Sequence, residues 1–486
     1  MTNSGVTADR LADLRATVMG PVLAPDDPGY EQAPPQWNGL GVPSYEEARI
    51  AWNGMFDRRP SVIVQCMGAA DVQTAIRFAR AENLRLAVRG GGHSCSGAGT
   101  IDGGMLIDLS LLRGVHVDPE RRVAIAAGGS LLFELDRETQ AHGLACPSGA
   151  VSHTGIAGLT LGGGLGRLMR KFGLTCDNVR GFDLVNADGE FLRVDADHHP
   201  DLFWALRGGG GAFGVVTSFE YELHPLGPIV YGGFLGWPLD QARDVYAQVR
   251  DHVDAAPDDL QTQYIFCTGP VADFMPAELQ GQPILMMTAT WAGADLEQGA
   301  RAIAPLREGI APTLDMVGEF PYTALQTAAD ALAPHGRLNA ASSCGYLRAV
   351  TDEVVEIGIA QAESFPTPFG FVELSQMGGA IARVPADATA ASAARDAGWL
   401  YIVGSNCLDR DAVAACREWT FAGEAALEPL RLPGRYINFI SEDSEDNLRE
   451  TFGERTYARL REVKDRYDPD GVFAYNPNRE ATPQAA

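Results

Sequence analysis

Lysine is almost missing from this 486-residue chain: Lys171 and Lys464 are its only occurrences, and the rest of its 38 basic residues are arginine. Such a bias reflects codon usage rather than function. Basic charge as a whole is scarce. Against 63 acidic residues the formal net charge is −25, which argues against a nucleic-acid partner, because phosphate backbones need a basic surface. Paired cysteines are missing too. The eight cysteines are scattered and no C-x-x-C pair occurs, so neither a zinc site nor thioredoxin-type chemistry is expected, and no metal. They read as small buried hydrophobes in a reducing compartment. No run of about 18 apolar residues is present, so no membrane span is expected. Met1-Thr2-Asn3-Ser4-Gly5 has neither a basic region nor an apolar run, and the expected location is cytoplasmic. No internal repeat or low-complexity linker stands out.

What the chain does have is glycine, concentrated in three places. The first is Arg89-Gly90-Gly91-Gly92-His93-Ser94, directly after the alternating segment Leu84–Val88, which reads as a half-buried strand. Three successive glycines leave a loop free to turn its N–H groups toward a phosphate pair. The histidine that follows is aimed where a large cofactor would lie. The second segment runs from Ser148 to Gly166, with seven glycines in nineteen residues. That density suits neither a stable helix nor a central strand. It reads as a cofactor cradle or as a tight turn between packed strands. The third is Trp204-Ala205-Leu206-Arg207-Gly208-Gly209-Gly210-Gly211-Ala212-Phe213-Gly214-Val215-Val216, open to structural and binding readings alike. None is a dinucleotide fingerprint, which needs a strand before it, a helix opening on it and an acid about twenty residues later. A nicotinamide dehydrogenase is therefore disfavoured.

Around these segments the pattern is regular. Ser61–Gln65 reads as a strand, Asp71 as the cap of a helix carrying Val72, Ala75, Ile76 and Ala79, and Ser130 as the cap of a helix carrying Leu131, Leu132 and Leu135. Phe182–Val194 reads as a hairpin turning at Asp188-Gly189. His224-Pro225-Leu226-Gly227-Pro228 is a breaker cluster and a domain boundary. Beyond it, strand-like runs at Ile284–Trp291, Gly370–Leu374 and Leu400–Ser405 alternate with helical patterns near 240–254 and 411–428. The class is α+β, with a helix-backed antiparallel sheet in the second half.

Taken in order, Arg89–Ser94, then Gly155-x-x-Gly158-x-x-x-Gly162-Gly163-Gly164-x-Gly166, then Asp201–Val216, followed near the end by Tyr475-x-x-Asn478, resemble the berberine-bridge-enzyme-like flavoproteins of the vanillyl-alcohol-oxidase superfamily. The resemblance covers most of 45–225 and 435–480 and is looser between. It implies a PCMH-type FAD-binding domain of two α+β subdomains at 46–227, preceded by a surface segment at 1–45. A substrate domain at 228–430 would cover the flavin ring, and 431–486 would complete the FAD domain. It implies FAD attached covalently through its 8α carbon to His93. By the same analogy the cofactor contacts are Arg89, Gly90, Gly91, Gly92, Ser94, Ser152, His153, Thr154, Gly155, Gly158, Gly162, Gly163, Gly164, Val216, Tyr475, Asn476 and Asn478.

Some family members carry a second link from a cysteine. The matching position here is Val151, which cannot bond to flavin. Cys146 could substitute only if the loop ran differently, and Cys95 reads as a packed thiol. The chain is thus similar to the singly linked bacterial branch.

The implied reaction moves a hydride from an alcohol, amine or activated C–H of a small organic substrate to flavin N5, and the electrons then pass to dioxygen, giving peroxide. A dehydrogenase with another acceptor is the alternative within the class, and a non-catalytic flavin-binding protein the alternative outside it. Glu373, in Phe371-Val372-Glu373-Leu374-Ser375-Gln376-Met377-Gly378-Gly379, matches the family's active-site acid before a Gly-Gly pair; it is the base or a solvent-facing sheet residue. Tyr436 and Tyr475 match tyrosines near the flavin, and either orients the substrate or packs in the core. After the Gly-Gly pair, Ala386–Arg395 lacks the aromatic residue that relatives often show. Substrate identity and oligomeric state stay open.

Overall fold

The computed structural model describes residues 6–25, 43–441 and 445–475. Its first sheet has four strands in the order Val22–Leu23, Val62–Gln65, Met105–Asp108, Leu86–Arg89. The last three run parallel. Their side chains are buried because the helix Ala69–Ala81 lays Val72, Ala75, Ile76 and Ala79 against Val62, Val64, Met105 and Ile107.

Asp71 does not cap that helix. Gly68 does, and Asp71 sits in the first turn with its carboxylate accepting from the backbone of Met19, Gly20 and Met67. The bond partners explain the described part of the N-terminal segment: residues 6–25 do more than wrap the surface, because Val22–Leu23 adds an antiparallel strand and Leu11 and Leu14 join the core. Ser130 likewise is no cap. Its hydroxyl is exchanged with the backbone of Gly114, and the helix Leu132–Gln140 starts one residue later.

A second, antiparallel sheet of five strands carries the expected hairpin, Val179–Val185 with Phe191–Asp195, beside Val215–Glu222. The third sheet is the largest. Eight antiparallel strands begin at Ile229–Pro238 and end with the edge strand Arg431–Leu432. Five of its strands, Ile229–Pro238, Leu260–Thr268, Leu314–Pro321, Asn339–Leu347 and Arg431–Leu432, are absent from the sequence reading. Alternation divides its side chains. Leu235, Trp237, Tyr264, Phe266, Val372, Leu374, Tyr401 and Val403 meet the helices Ala242–Asp254, Asp352–Ala362 and Val413–Leu427. Gln263, Ile265, Glu373 and Ser375 therefore face the other way, toward the glycine-rich half. Among the described residues no helix is long and apolar enough to cross a membrane.

The halves are joined by buried polar bonds. Asn53 donates to the carbonyls of Cys95 and Ala340 at 3.1 and 2.9 Å. Gln326, on the helix Tyr322–Thr327, donates to Asp136, Ser148 and Gly149. Burial pushes the Asp136 carboxyl up to about 7, against the pull of Gln326 and Ser148, with Cys146 and Tyr322 alongside. A carboxyl that holds its proton in the folded chain and loses it in the unfolded one makes stability fall as pH rises from about 4 to about 7, and level off above. The full span is worth about 4 kcal/mol. Asp136→Asn should abolish that part of the pH dependence and raise the thermal midpoint at pH 8, and an unchanged profile would show that Asp136 is ionised in the fold.

Candidate active site

The strand Leu86–Arg89 delivers its glycines to a crossing with the second glycine segment. A Cβ on Gly91 would lie 2.3 Å from the backbone nitrogen of Gly155, and a Cβ on Gly155 would meet the nitrogen of Gly91 at the same distance. Backbone lies on backbone, and no side chain fits at either place. The crossing sets His93 beside His153, with Nε2 to Nδ1 at 2.6 Å. Trp52 stacks on the His93 ring at 4.8 Å and 18°, and is itself fixed by its Nε1–H donating to the Ala333 carbonyl at 2.9 Å. His335 presents its edge at 6.4 Å. Burial first, then His153 and His335, hold His93 well below the ordinary histidine range, so its imidazole is neutral.

Past the crossing, the N–H groups of Gly92, His93, Ser94 and Cys95 meet no acceptor among the described residues. A curved row of free backbone N–H groups is an anion seat. A Cβ on Gly158 would meet nothing within 4 Å, so the backbone there opens onto free space. A free row of donors beside an open glycine edge fits a flat cofactor with a phosphate pair. Ser94 closes the loop by accepting from Ala98 at 3.0 Å, and Thr154 tethers the second segment by accepting from Leu132 at 2.9 Å.

Several expected contacts are placed differently. The Arg89 guanidinium does not reach the seat. It pairs with buried Asp108 at 3.1 Å and donates to the Ala48 and Ile50 carbonyls. Gly162 and Gly164 pack on protein: added Cβ atoms would strike Asn438 at 2.3 Å and Thr175 at 2.1 Å. Gly163, at φ +122°, forms part of the same turn, its carbonyl accepting from Cys176. These three glycines serve the packed-turn reading. Ser152 gives both its N–H and its hydroxyl to Asp330, at 2.7 and 2.6 Å. The Val216 side chain is in the core, leaving only its backbone beside Gly128.

Tyr436 is buried with Cys344, Met377 and Ile402, and its hydroxyl accepts from the Gly164 N–H and the Asn438 amide at 3.1 and 2.9 Å. Burial raises its pKa, as it does that of Tyr475, which packs against Gly210, Phe213 and Phe452. Neither is set up as a base. Asn476 and Asn478 lie outside the described residues. Cys146 is fully buried in the core, a packed thiol, and Cys95 is buried against Trp52 and Ala340.

Glu373 is brought to the sheet face that looks toward the glycine-rich half. Its Oε1 accepts from Gln263 at 2.8 Å and from Ser375 at 2.6 Å, and Gln263 in turn accepts from Thr288 at 2.7 Å. Burial raises its pKa, and Ser375, Arg167 and Gln263 pull it partly back. The result is a half-buried carboxyl, oriented across three strands, with a basicity above that of an exposed glutamate. Sequence reasoning missed Trp52, His335 and Gln263. Each comes from an unrelated stretch of chain, and no local pattern marks it.

A family model described as an FAD-binding domain matches residues 60–195, and one described as berberine and berberine-like matches 435–478. An FAD-linked oxidoreductase of Dictyostelium discoideum is 29% identical over 86% of this chain and 88% of its own. An (R)-6-hydroxynicotine oxidase of Paenarthrobacter nicotinovorans is 35% identical, over 49% of this chain and 50% of its own. Among solved structures, 6-hydroxy-D-nicotine oxidase from Arthrobacter nicotinovorans superposes with a TM-score of 0.82 at 27% identity, covering 98% of this chain and 100% of its own. A berberine-bridge-enzyme-like protein of Physcomitrella patens superposes at 0.81 and 20% identity, over 97% of this chain and 100% of its own. With the PCMH-type fold, the open glycine cradle and both matched segments in their places, the chain is an FAD-dependent oxidoreductase that carries an FAD-binding domain and a berberine-like segment.

Proposed function

We propose that this enzyme is an oxidase that carries its FAD covalently on His93 and oxidises an alcohol, amine or activated C–H of a small organic molecule, with dioxygen as the second substrate and hydrogen peroxide as the product. The observation that carries the reading is the His93 imidazole, neutral, stacked on Trp52, held by His153 and standing at the edge of the cofactor seat. Only a neutral imidazole has a ring nitrogen lone pair free to bond to carbon. With Val151 where a second tether would come from and Cys146 buried, one link is the reading.

Bound FAD supplies the two-electron acceptor. The chain's own residues do the rest. Gly92–Cys95 seat the phosphates, and Gly158 lets the backbone approach closely. Glu373 takes the proton from the substrate O–H or N–H, with Gln263 and Ser375 fixing one carboxylate oxygen. A dehydrogenase reading has support in the fold, since a solved neighbour is described as a glucose dehydrogenase. Reduction by substrate without air, then exposure to air, decides the acceptor: rapid reoxidation makes the chain an oxidase.

Acid-precipitated protein should keep its yellow colour in the pellet, and His93→Ala should release it to the supernatant. Colour washing out of the unmodified protein refutes the covalent link. Glu373→Gln should lower kcat by about 10²- to 10⁴-fold. Because the base works ionised and its pKa is raised, kcat/KM of the parent should climb with pH through a value above the ordinary glutamate pKa of about 4.3, then level off. The glutamine variant should lack that limb, and an unchanged limb would remove Glu373 from the role.

A further inference from the structure

Four arginines are buried among the described residues: Arg89, Arg167, Arg170 and Arg395. Three of them have hydrogen-bond or ion-pair partners, although the Nε of Arg395 has none. Arg89 has Asp108, Arg395 has both oxygens of Asp177, and Arg170 has the carbonyls of Leu260, Met377 and Ala256. Arg167 stands only three residues before Arg170 in the sequence, yet among the described residues it makes no hydrogen bond or ion pair, and its covered Nε has no partner. It is 5% exposed. An unpartnered buried cation is costly and persists where something else meets it.

Its position says where that partner comes from. Arg167 ends the second glycine segment, and its guanidinium lies 5.8 Å from the centroid of the Phe234 ring. Phe234 is paired across the large sheet with Thr288, Thr288 with Gln263, and Gln263 holds Glu373. Directly paired residues share a face, so Arg167 reaches the cleft side of the sheet, beside the proposed base. The groups whose charge acts on it are Tyr322 and Glu373, neither within ion-pair distance.

We propose that Arg167 is a substrate anchor and that the enzyme oxidises a carboxylate-bearing small molecule. The inference rests on the flavin-oxidase reading of this cleft. A guanidinium is a planar fork that matches a carboxylate with two parallel bonds. One cation balances one negative charge. A phosphate dianion would leave excess charge beside Glu373, whereas a carboxylate leaves Glu373 free to ionise. Occupation of Arg167 also screens the positive charge that holds Glu373 down, so a bound acid makes the base stronger.

The test uses the yellow holoprotein and follows flavin absorbance during titration with benzoate and with benzamide, which share a shape and differ in charge. Benzoate should give a saturable shift and benzamide one at least about tenfold weaker. Arg167→Met should weaken benzoate by about tenfold or more while leaving the thermal midpoint unchanged or higher, because it removes an uncompensated buried charge. Arg167→Lys should fall between. Yellow protein with no saturable benzoate shift, or with benzamide bound equally well, overturns the anchor and leaves the flavin reading standing, and needs no variant. Arg167→Met that keeps its benzoate affinity also overturns it, as does one that melts far lower and is rescued by lysine, which makes Arg167 structural. A colourless protein that takes up no FAD removes both readings.

Discussion

The site depends on one contact, the crossing of Gly91 over Gly155. Two backbone segments touch at a distance that leaves room for no Cβ on either. Everything chemical about the seat follows from it. The crossing brings His93 to His153, and the turn it forces on the first segment leaves the following N–H groups unpaired. Such a loop would be unstable on its own, because several backbone donors go without acceptors. It is held from behind by stiffer parts: the Arg89–Asp108 pair under the strand, and Trp52 and Asn53 bridging to the second half. The cost of an open, donor-rich loop is met by burying the charges and rings around it.

The large sheet makes the matching half by a simpler device. One face is greasy and covered by helices, and the same strands turn Thr288, Gln263, Ser375 and Glu373 to the other. Polar residues in the middle of a sheet face survive only if they bond to one another or to a ligand. Here they form a chain that ends on a single carboxylate oxygen. In the proposed reaction the glycine half would supply a place and the sheet half a proton acceptor, and neither would be complete without the other.

Much of this was legible in the sequence, and for a physical reason. Glycine runs and the alternating strand before them are local signals, so the loop of His93, the hairpin at Asp188-Gly189 and the class were readable. Glu373 was readable because strand alternation set it opposite Val372 and Leu374. What failed was the assignment of partners. Arg89 looked like part of the seat because it adjoins the glycines, but a buried arginine takes the strongest acceptor within reach, and Asp108 lies on the neighbouring strand. Gly162 and Gly164 looked like cradle, but their missing side chains make room for Asn438 and Thr175. Tyr436, read as orienting the substrate or packing in the core, is a strut for the Gly164 turn. In each case the deciding residue is distant in sequence, where spacing carries no information. The missed strands belong to the large sheet, where glycine at Gly232, Gly233, Gly318 and Gly345 breaks the alternation in three of them.

The net charge of −25 bears on how such a cleft could choose an anionic substrate. At long range the surface repels an anion, but in physiological salt that repulsion is screened within about 8 Å. Selection by charge must then happen at contact, where water is displaced and screening is weak. A lone guanidinium on a wall lined by Phe234 meets that condition, because the low-polarity surroundings strengthen its pairing with a carboxylate and exclude competing ions. An exposed basic patch would raise the rate of encounter for any anion without distinguishing among them. A single buried arginine would do the reverse: encounter would stay slow, and what it would retain is an acid whose oxidisable carbon lies over the same sheet face that carries Glu373.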